Sequence, residues 1–389
     1  MRKASILLAA LGAVAGEASA QTSITLYGVV DTAVEYINHA ASPPSINTAT
    51  GQVTQQAGGN RFSMINSGGL SGSRWGLRGA EALGQGLSAV FTLESGFGPD
   101  DGRSLQGGRL FGRQAYVGLQ HADYGALTFG RQYTPMFDVL ANFTPLSYAP
   151  LYEPLTFLLG PAFRVDNTAK YTGTWGPVSA RAYFSFGAGT PSLGAVPLAG
   201  GGIGETPGRF RDNSAYGASL TYASGRWGVT AIYDHWKPAI DAGNAANAKK
   251  AAAAVSYAVG PAKLVAGYRW ADTRTSAGTT LLRDDLYWLG VNYNVAPALL
   301  LQFGYYYADV KVARVGPAAP PLDPKNPWQV SVNADYSLSK RTDVYLSLAY
   351  AKHSGLNFDA ASTGISGGYA LAQGSNGQLG MAVGIRHRF

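Results

Sequence analysis

The chain has 389 residues, a net charge of +7 and no cysteine, which excludes disulfides and thiolate metal sites. Only 14 % of its residues are charged, against about 25 % in soluble domains, and Tyr (23) and Gly (51) are abundant. Beyond the N-terminus no run reaches the roughly eighteen apolar residues of a membrane helix, so a helical membrane protein is excluded and apolar residues must be interleaved with polar ones.

The N-terminus reads as a targeting segment. Arg2 and Lys3 precede an apolar run from Ile6 to Ala15, and Ala18-Ser19-Ala20 has small residues at the cleavage positions. This predicts a secretory signal peptide over 1–20, with 21–389 left as one domain. From there the pattern has period two, the mark of a strand with unlike faces. At 24–36, Ile24, Leu26, Val30, Val34 and Tyr36 oppose Thr25, Asp31 and Glu35. At 215–222, Tyr216, Ala218, Leu220 and Tyr222 oppose Ala215, Gly217, Ser219 and Thr221. At 299–307, Leu299, Leu301, Phe303, Tyr305 and Tyr307 share a face. At 328–338, WQVSVNADYSL, every even residue is apolar and every odd one polar. At 343–353, Val344, Leu346, Leu348 and Tyr350 oppose Asp343, Tyr345, Ser347 and His353. The chain ends in GMAVGIRHRF, with Met381, Val383, Ile385 and Phe389 opposite Gly380, Ala382, Arg386 and Arg388.

Connections alternate in kind. Short turns lie at 122–125, 224–226, 259–261, 295–297 and 338–341; long loops rich in small and polar residues lie at 38–60, 134–163, 189–211, 310–325 and 354–375. The pattern predicts an all-β fold: a transmembrane antiparallel β-barrel of about sixteen strands, with short periplasmic turns and long extracellular loops. A sheet in hydrocarbon cannot leave an edge unpaired, so the strand ending at Phe389 should close on the strand starting near Thr22.

Six stretches resemble the general porins of Gram-negative outer membranes, in particular the beta-proteobacterial branch. They are ITLYGVVDTAVEY, SRWGLRGAEALGQGLSAVFTLESGF at 73–97, LFGRQAYVGL at 110–119, GALTFGRQY at 125–133, DYSLSKRTDVYL at 335–346 and the terminal GIRHRF. The resemblance implies an outer-membrane homotrimer with one water-filled pore per subunit, passing small hydrophilic solutes and ions passively. It implies lipid and lipopolysaccharide as neighbours, no cofactor, and Phe389 as the signal read by the barrel-assembly machinery.

The resemblance also implies a third loop folded into the lumen. Here 134–163 is long, apolar and aromatic, where a loop in water would be polar. The family sets arginines on the wall against acids on this loop. Parity turns Arg74 and Arg78 inward, about 13 Å apart along one strand, together with Arg164, Lys170 and Arg181. Arg113 matches a further wall arginine by motif. Arg131 shares the parity of Leu127 and Phe129 and reads as outward. Asp138 and Glu153 are the acids found on the loop. Several arginines facing two carboxylates predict anion preference.

Other classes fit less well. A barrel enzyme needs a nucleophile, a base and an orienting group on one face, and His39, His121, His235, His353 and His387 lie in no such motif. Their spacing offers no metal site. GGGIGETPG at 200–208 lacks the strand, helix and Lys-Ser/Thr of a phosphate loop. Nothing suggests nucleic acid as a partner. A substrate-specific channel would need aromatics along the lumen, and parity gives only Trp288, Tyr306 and Tyr345.

Overall fold

A computed structural model describes residues 22–189, 205, 207–239 and 244–389. The expected signal peptide, most of the 189–211 loop and most of the glycine run at 200–208 lie outside them. Among the described residues, seventeen strands form one closed antiparallel sheet, and no helix is long and apolar enough to cross a membrane.

The first strand, β1 (Thr22–Ala41), is twenty residues long and serves as the seam. One edge pairs with the last strand, β19 (Gly377–Arg388), from Val29↔Arg388 to Ile37↔Gly380. Gly28 and Phe389 complete it by exchanging both backbone hydrogen bonds at 3.1 Å. A side chain at Gly28 would have no room, since its Cβ would stand 2.3 Å from the Phe389 ring. The other edge of β1 meets two short strands in succession, β5 (Arg74–Gly84) along Thr22–Val29 and β4 (Gly58–Met64) along Val34–Ala41. Because β4 and β5 share one position, seventeen strands occupy sixteen staves.

The remaining staves follow in chain order. They are β6 (Leu87–Gly96), β7 (Gln114–His121), β8 (Gly125–Tyr133), β9 (Arg164–Trp175) and β10 (Val178–Ser185). Next come β11 (Ala215–Ser224), β12 (Trp227–Trp236), β13 (Asn247–Val259) and β14 (Ala262–Arg274). Then come β15 (Thr280–Ala296), β16 (Leu299–Ala313), β17 (Trp328–Ser337) and β18 (Thr342–Lys352). The small hairpin of β2 (Ser45–Ile46) and β3 (Val53–Thr54) stands apart from the barrel.

The parity reading holds along these strands. On β19, Met381, Val383 and Ile385 are 43, 60 and 48 % exposed, whereas Ala382 between them is 1 % exposed. The exposed set is the lipid face, with aromatic pairs such as Tyr171–Trp175 and Trp227–Tyr257 near strand ends. Two expected loops are shorter than the sequence suggested. Residues 38–41 continue β1, 58–60 already belong to β4, and β16 runs on to Ala313. These extensions still pair with a neighbour, but across register shifts, between Ile37 and Ala40 on β1 and opposite Arg283 and Asp284 on β16, and they no longer alternate apolar with polar.

Candidate functional site: the constriction

Between β4 and β5 the chain leaves the wall. Residues 65–73 pack inside, where Ile65 and Leu70 join the buried cluster of the third loop. Asp31 of β1 holds them there. Its carboxylate accepts the N–H groups of Gly69, Leu70 and Ser71 at 2.9, 2.9 and 2.8 Å, a backbone nest for an anion. The Tyr345 hydroxyl adds a fourth donor at 2.6 Å.

The third loop, 134–163, lies inside the barrel. Thr134 caps a helix at Pro135–Leu140 by accepting the Phe137 N–H, and Pro135 stands at its start. A second short helix spans Leu155–Leu159. The loop's apolar residues form the hydrophobic core: Met136, Leu140, Leu151, Tyr152, Leu158 and Leu159 are all at most 1 or 2 % exposed. Burial of this kind contributes about 1.5–3 kcal/mol per large side chain, which explains why a loop this apolar cannot stay in water.

Polar side chains of the wall then fix the loop by its own backbone. Trp288 Nε1 donates to Phe143 O at 2.8 Å, Gln302 to Pro145 O at 3.2 Å, and Lys263 to Asn142 O at 2.7 Å. Gln329 and Ser331 both donate to Tyr152 O, at 2.8 and 2.5 Å. Arg269 donates to Phe157 O at 2.6 Å, and the Leu151 N–H reaches Gly69 O at 3.0 Å. Gly290 and Gly304, paired across β15 and β16, leave a dent for Pro145, whose Cβ would lie 2.5 and 2.8 Å from side chains placed there. The inward aromatics Trp288, Tyr306 and Tyr345 are therefore anchors, not a track for solutes.

Glu153 is one of these anchors, which corrects the expectation that it faces the wall arginines. It is 1 % exposed and accepts the Leu146 and Tyr148 N–H groups at 3.2 and 2.6 Å and the Tyr306 hydroxyl at 2.7 Å. Burial pushes its carboxyl up to about 7 against the pull of these donors. The same burial, with Glu153 nearby, raises the Tyr148 hydroxyl well above its ordinary value. Asp138 forms an ion pair with Lys170 at 2.9 Å.

Across the lumen the arginines gather around one acid that parity could have supplied, Glu94. It shares the inward face of β6 with Ser88 and Thr92. Arg113 Nε meets its carboxylate at 2.7 Å and Arg74 Nε at 3.5 Å, with the Tyr27 and Tyr133 hydroxyls donating at 3.0 and 3.3 Å. Arg78 lies over the Tyr27 ring at 5.3 Å. Arg164 sits over Phe163 at 4.7 Å and Tyr133 at 5.3 Å, beside a stack in which Tyr133 and Phe137 are 4.0 Å apart. Among the described residues, no carboxylate lies in ion-pair range of Arg78, Arg164 or Arg181. Arg181 is opposite Ser219 on the wall, away from this cluster. Arg131 keeps the expected parity: it is paired with Ala115 in unbroken register with Val117↔Phe129 and Leu119↔Leu127. It is 8 % exposed, donates to Gly112 O and pairs with Asp166 at 2.5 Å. The β8–β9 register shift beside it adds the extra residue on β9, where Asp166 and Asn167 face the single position of Arg131.

A profile of Gram-negative porins matches residues 7–356. An outer membrane porin protein of Bordetella pertussis is 32 % identical, with the whole of both chains covered. The chain belongs to the Gram-negative porin family. It is an outer-membrane porin, a passive water-filled channel. Two solved structures share its fold. An anion-selective porin from Comamonas acidovorans has a TM-score of 0.70 and 24 % identity, covering 95 % of this porin and all of that chain. An outer membrane protein of Vibrio cholerae in its trimer form has a TM-score of 0.59 and 15 % identity, covering 95 % of this porin and 99 % of that chain.

Proposed function

We propose that this porin is an anion-preferring general diffusion channel whose selectivity is set by Arg74, Arg78, Arg113 and Arg164, with Arg181 farther along the wall. The observation that carries the reading is the imbalance at the narrow zone. Arg74 and Arg113 share a single carboxylate, Glu94, and Arg164 beside them has none in ion-pair range, while Asp138 is matched by Lys170 and Glu153 is turned into the loop's packing. Guanidinium stays charged at any working pH. A small excess of one sign between low-dielectric walls concentrates the opposite ion. The resemblance to an anion-selective porin is in keeping with this.

Three further parts of the reading rest on family membership: assembly as a homotrimer, removal of residues 1–20 on export, and recognition of Phe389 during insertion. The deciding experiment is the zero-current potential of the purified porin in a planar bilayer under a KCl gradient. A chloride-set potential is expected. A potassium-set potential would overturn the account of the constriction.

A further inference from the structure

The outer wall carries a feature that the pore does not use. Four alanines fall together on the lipid face of β11 to β13. The unbroken ladder sets Ala231 against Ala253, and sets Ala218 and Ala251 on either side of Tyr233. With so little side chain they leave a shallow trough of about 500 Å³, bordered by the exposed Leu220, Tyr233 and Tyr268.

Nearer the extracellular end the same face becomes charged. Lys249, next after Ala251 on this face, lies directly across from His235, and Lys237 stands just past the end of β12 with its Nζ 5.6 Å from the centre of the Tyr216 ring. The two lysines are diagonal neighbours, about 7–8 Å apart at Cα. His235 is held by the Tyr216 hydroxyl and Asn247 Oδ1 at 2.8 and 3.0 Å, so it offers neither ring nitrogen. The neighbouring cations of this face have acids of their own: Arg274 pairs with Asp272 at 2.8 Å and Arg283 with Asp285 at 3.2 Å. Asp272 stands across from Lys249 but is turned to Arg274. Among the described residues no carboxylate lies in ion-pair range of Lys237 or Lys249. Two unmatched ammonium groups thus stand above an apolar trough, with Tyr216, Tyr233, Tyr268 and Trp270 marking the headgroup level around them.

We propose that this face is a docking site for a membrane lipid with a phosphomonoester headgroup. The phosphate carries about −1.5 to −2 at neutral pH, and it accepts from Lys237 Nζ and Lys249 Nζ, which together match that charge. A phosphodiester headgroup would bring a single negative charge and leave one ammonium unmatched. One acyl chain lies in the trough over Ala231 and Ala253, against the Tyr233 and Tyr268 rings. The depth fits. Lys249 to Ala253 is four residues, about 13 Å of strand, or about 9 Å of depth at a tilt near 45°. One leaflet is about 15 Å deep, so a chain hung from the lysines covers the trough. The site faces away from the lumen, so it adds lipid recognition without changing ion preference.

The test is native mass spectrometry of the intact porin, titrated with phosphatidic acid in detergent micelles. One tightly held lipid per subunit is expected. Phosphatidylglycerol and diacylglycerol with the same chains should bind at least tenfold more weakly. Lys237→Gln with Lys249→Gln should weaken phosphatidic acid at least tenfold. Ala231→Leu with Ala253→Leu, which fills the trough and leaves both lysines, should do the same. Lys340→Gln, in a periplasmic turn, should bind as the wild type does. Conductance and zero-current potential in a planar bilayer report a folded barrel and are expected to be unchanged in every variant. Glycerol 3-phosphate, the headgroup without chains, should not displace the lipid at equal concentration. Equal affinity for diacylglycerol, displacement by glycerol 3-phosphate, wild-type affinity in either conducting double variant, or an equal loss in Lys340→Gln would overturn the proposal and leave a face that lipids cover without distinction.

Discussion

Replacing Tyr306 by Phe removes one oxygen and nothing else from the anchor that holds the tip of the third loop. The ring is 1 % exposed and stays in place, so no cavity forms. What is lost is a 2.7 Å hydrogen bond to the Glu153 carboxyl. A bond to a charged partner is worth about 1.5–3 kcal/mol, so excursions of the loop should become roughly 10- to 150-fold more frequent. The pH dependence has a definite sign. Glu153 is raised from 4.5 to about 7 when the loop is packed. The packed loop therefore binds a proton more tightly than the released loop. Its stability is fully present below about 4.5 and declines as pH rises through about 7. The decline is at most ~3.4 kcal/mol, from 1.36 kcal/mol per pH unit. Single-channel recordings should thus show flicker that grows from pH 5 to pH 8 in the wild type. In Tyr306→Phe the flicker should be greater, above all on the alkaline side, where the carboxylate has lost a donor. Glu153→Gln should flatten the pH profile. Flicker indifferent to pH in the wild type, or identical traces for Tyr306→Phe and the wild type at pH 8, would show that this contact does not hold the loop.

Other outcomes follow from the same geometry. Glu94→Gln removes the acid shared by Arg74 and Arg113 and should shift the zero-current potential further toward chloride; Arg74→Gln with Arg113→Gln should move it toward zero. Asp31→Asn weakens the nest under residues 69–71, at about 1–3 kcal/mol, and limited proteolysis should then cut between 65 and 73 while the barrel stays intact. Gly28→Val puts a side chain into the Phe389 ring and should lower the temperature at which the folded band disappears on a denaturing gel.

Strand positions were largely legible because lipid on one side and water on the other impose a strict period of two on every stave. The inward loop was legible from its composition, since FTPLSYAPLYEPLTFLLGPAF has no reason to be surface chain. Side-chain roles within that loop were not. Glu153 looks like any loop acid, and only the folded path brings Tyr306, 153 residues away, to its carboxyl. The parity of Arg131 was legible, but not its partners: Gly112 O and Asp166 come to it only in the folded barrel. Glu94 could have been found by applying to VFTLESGF the parity argument used for SRWGLRG. The excursion at 65–73 left no signal, because NSGGLSG reads as an ordinary turn.

The Asp31 nest has a consequence for the order of assembly. Its donors come from residues 69–71, but its fourth partner, Tyr345, is 314 positions away on the far side of the seam. The segment that receives Leu151 is therefore complete only when the two ends of the chain have met. Contacts this distant in sequence form late, because loop closure must come first. The narrow zone is thus a product of ring closure, and its width records that closure has occurred. A barrel halted one strand short would lack both the seam and the gauge of its pore, so a narrow pore marks a finished one.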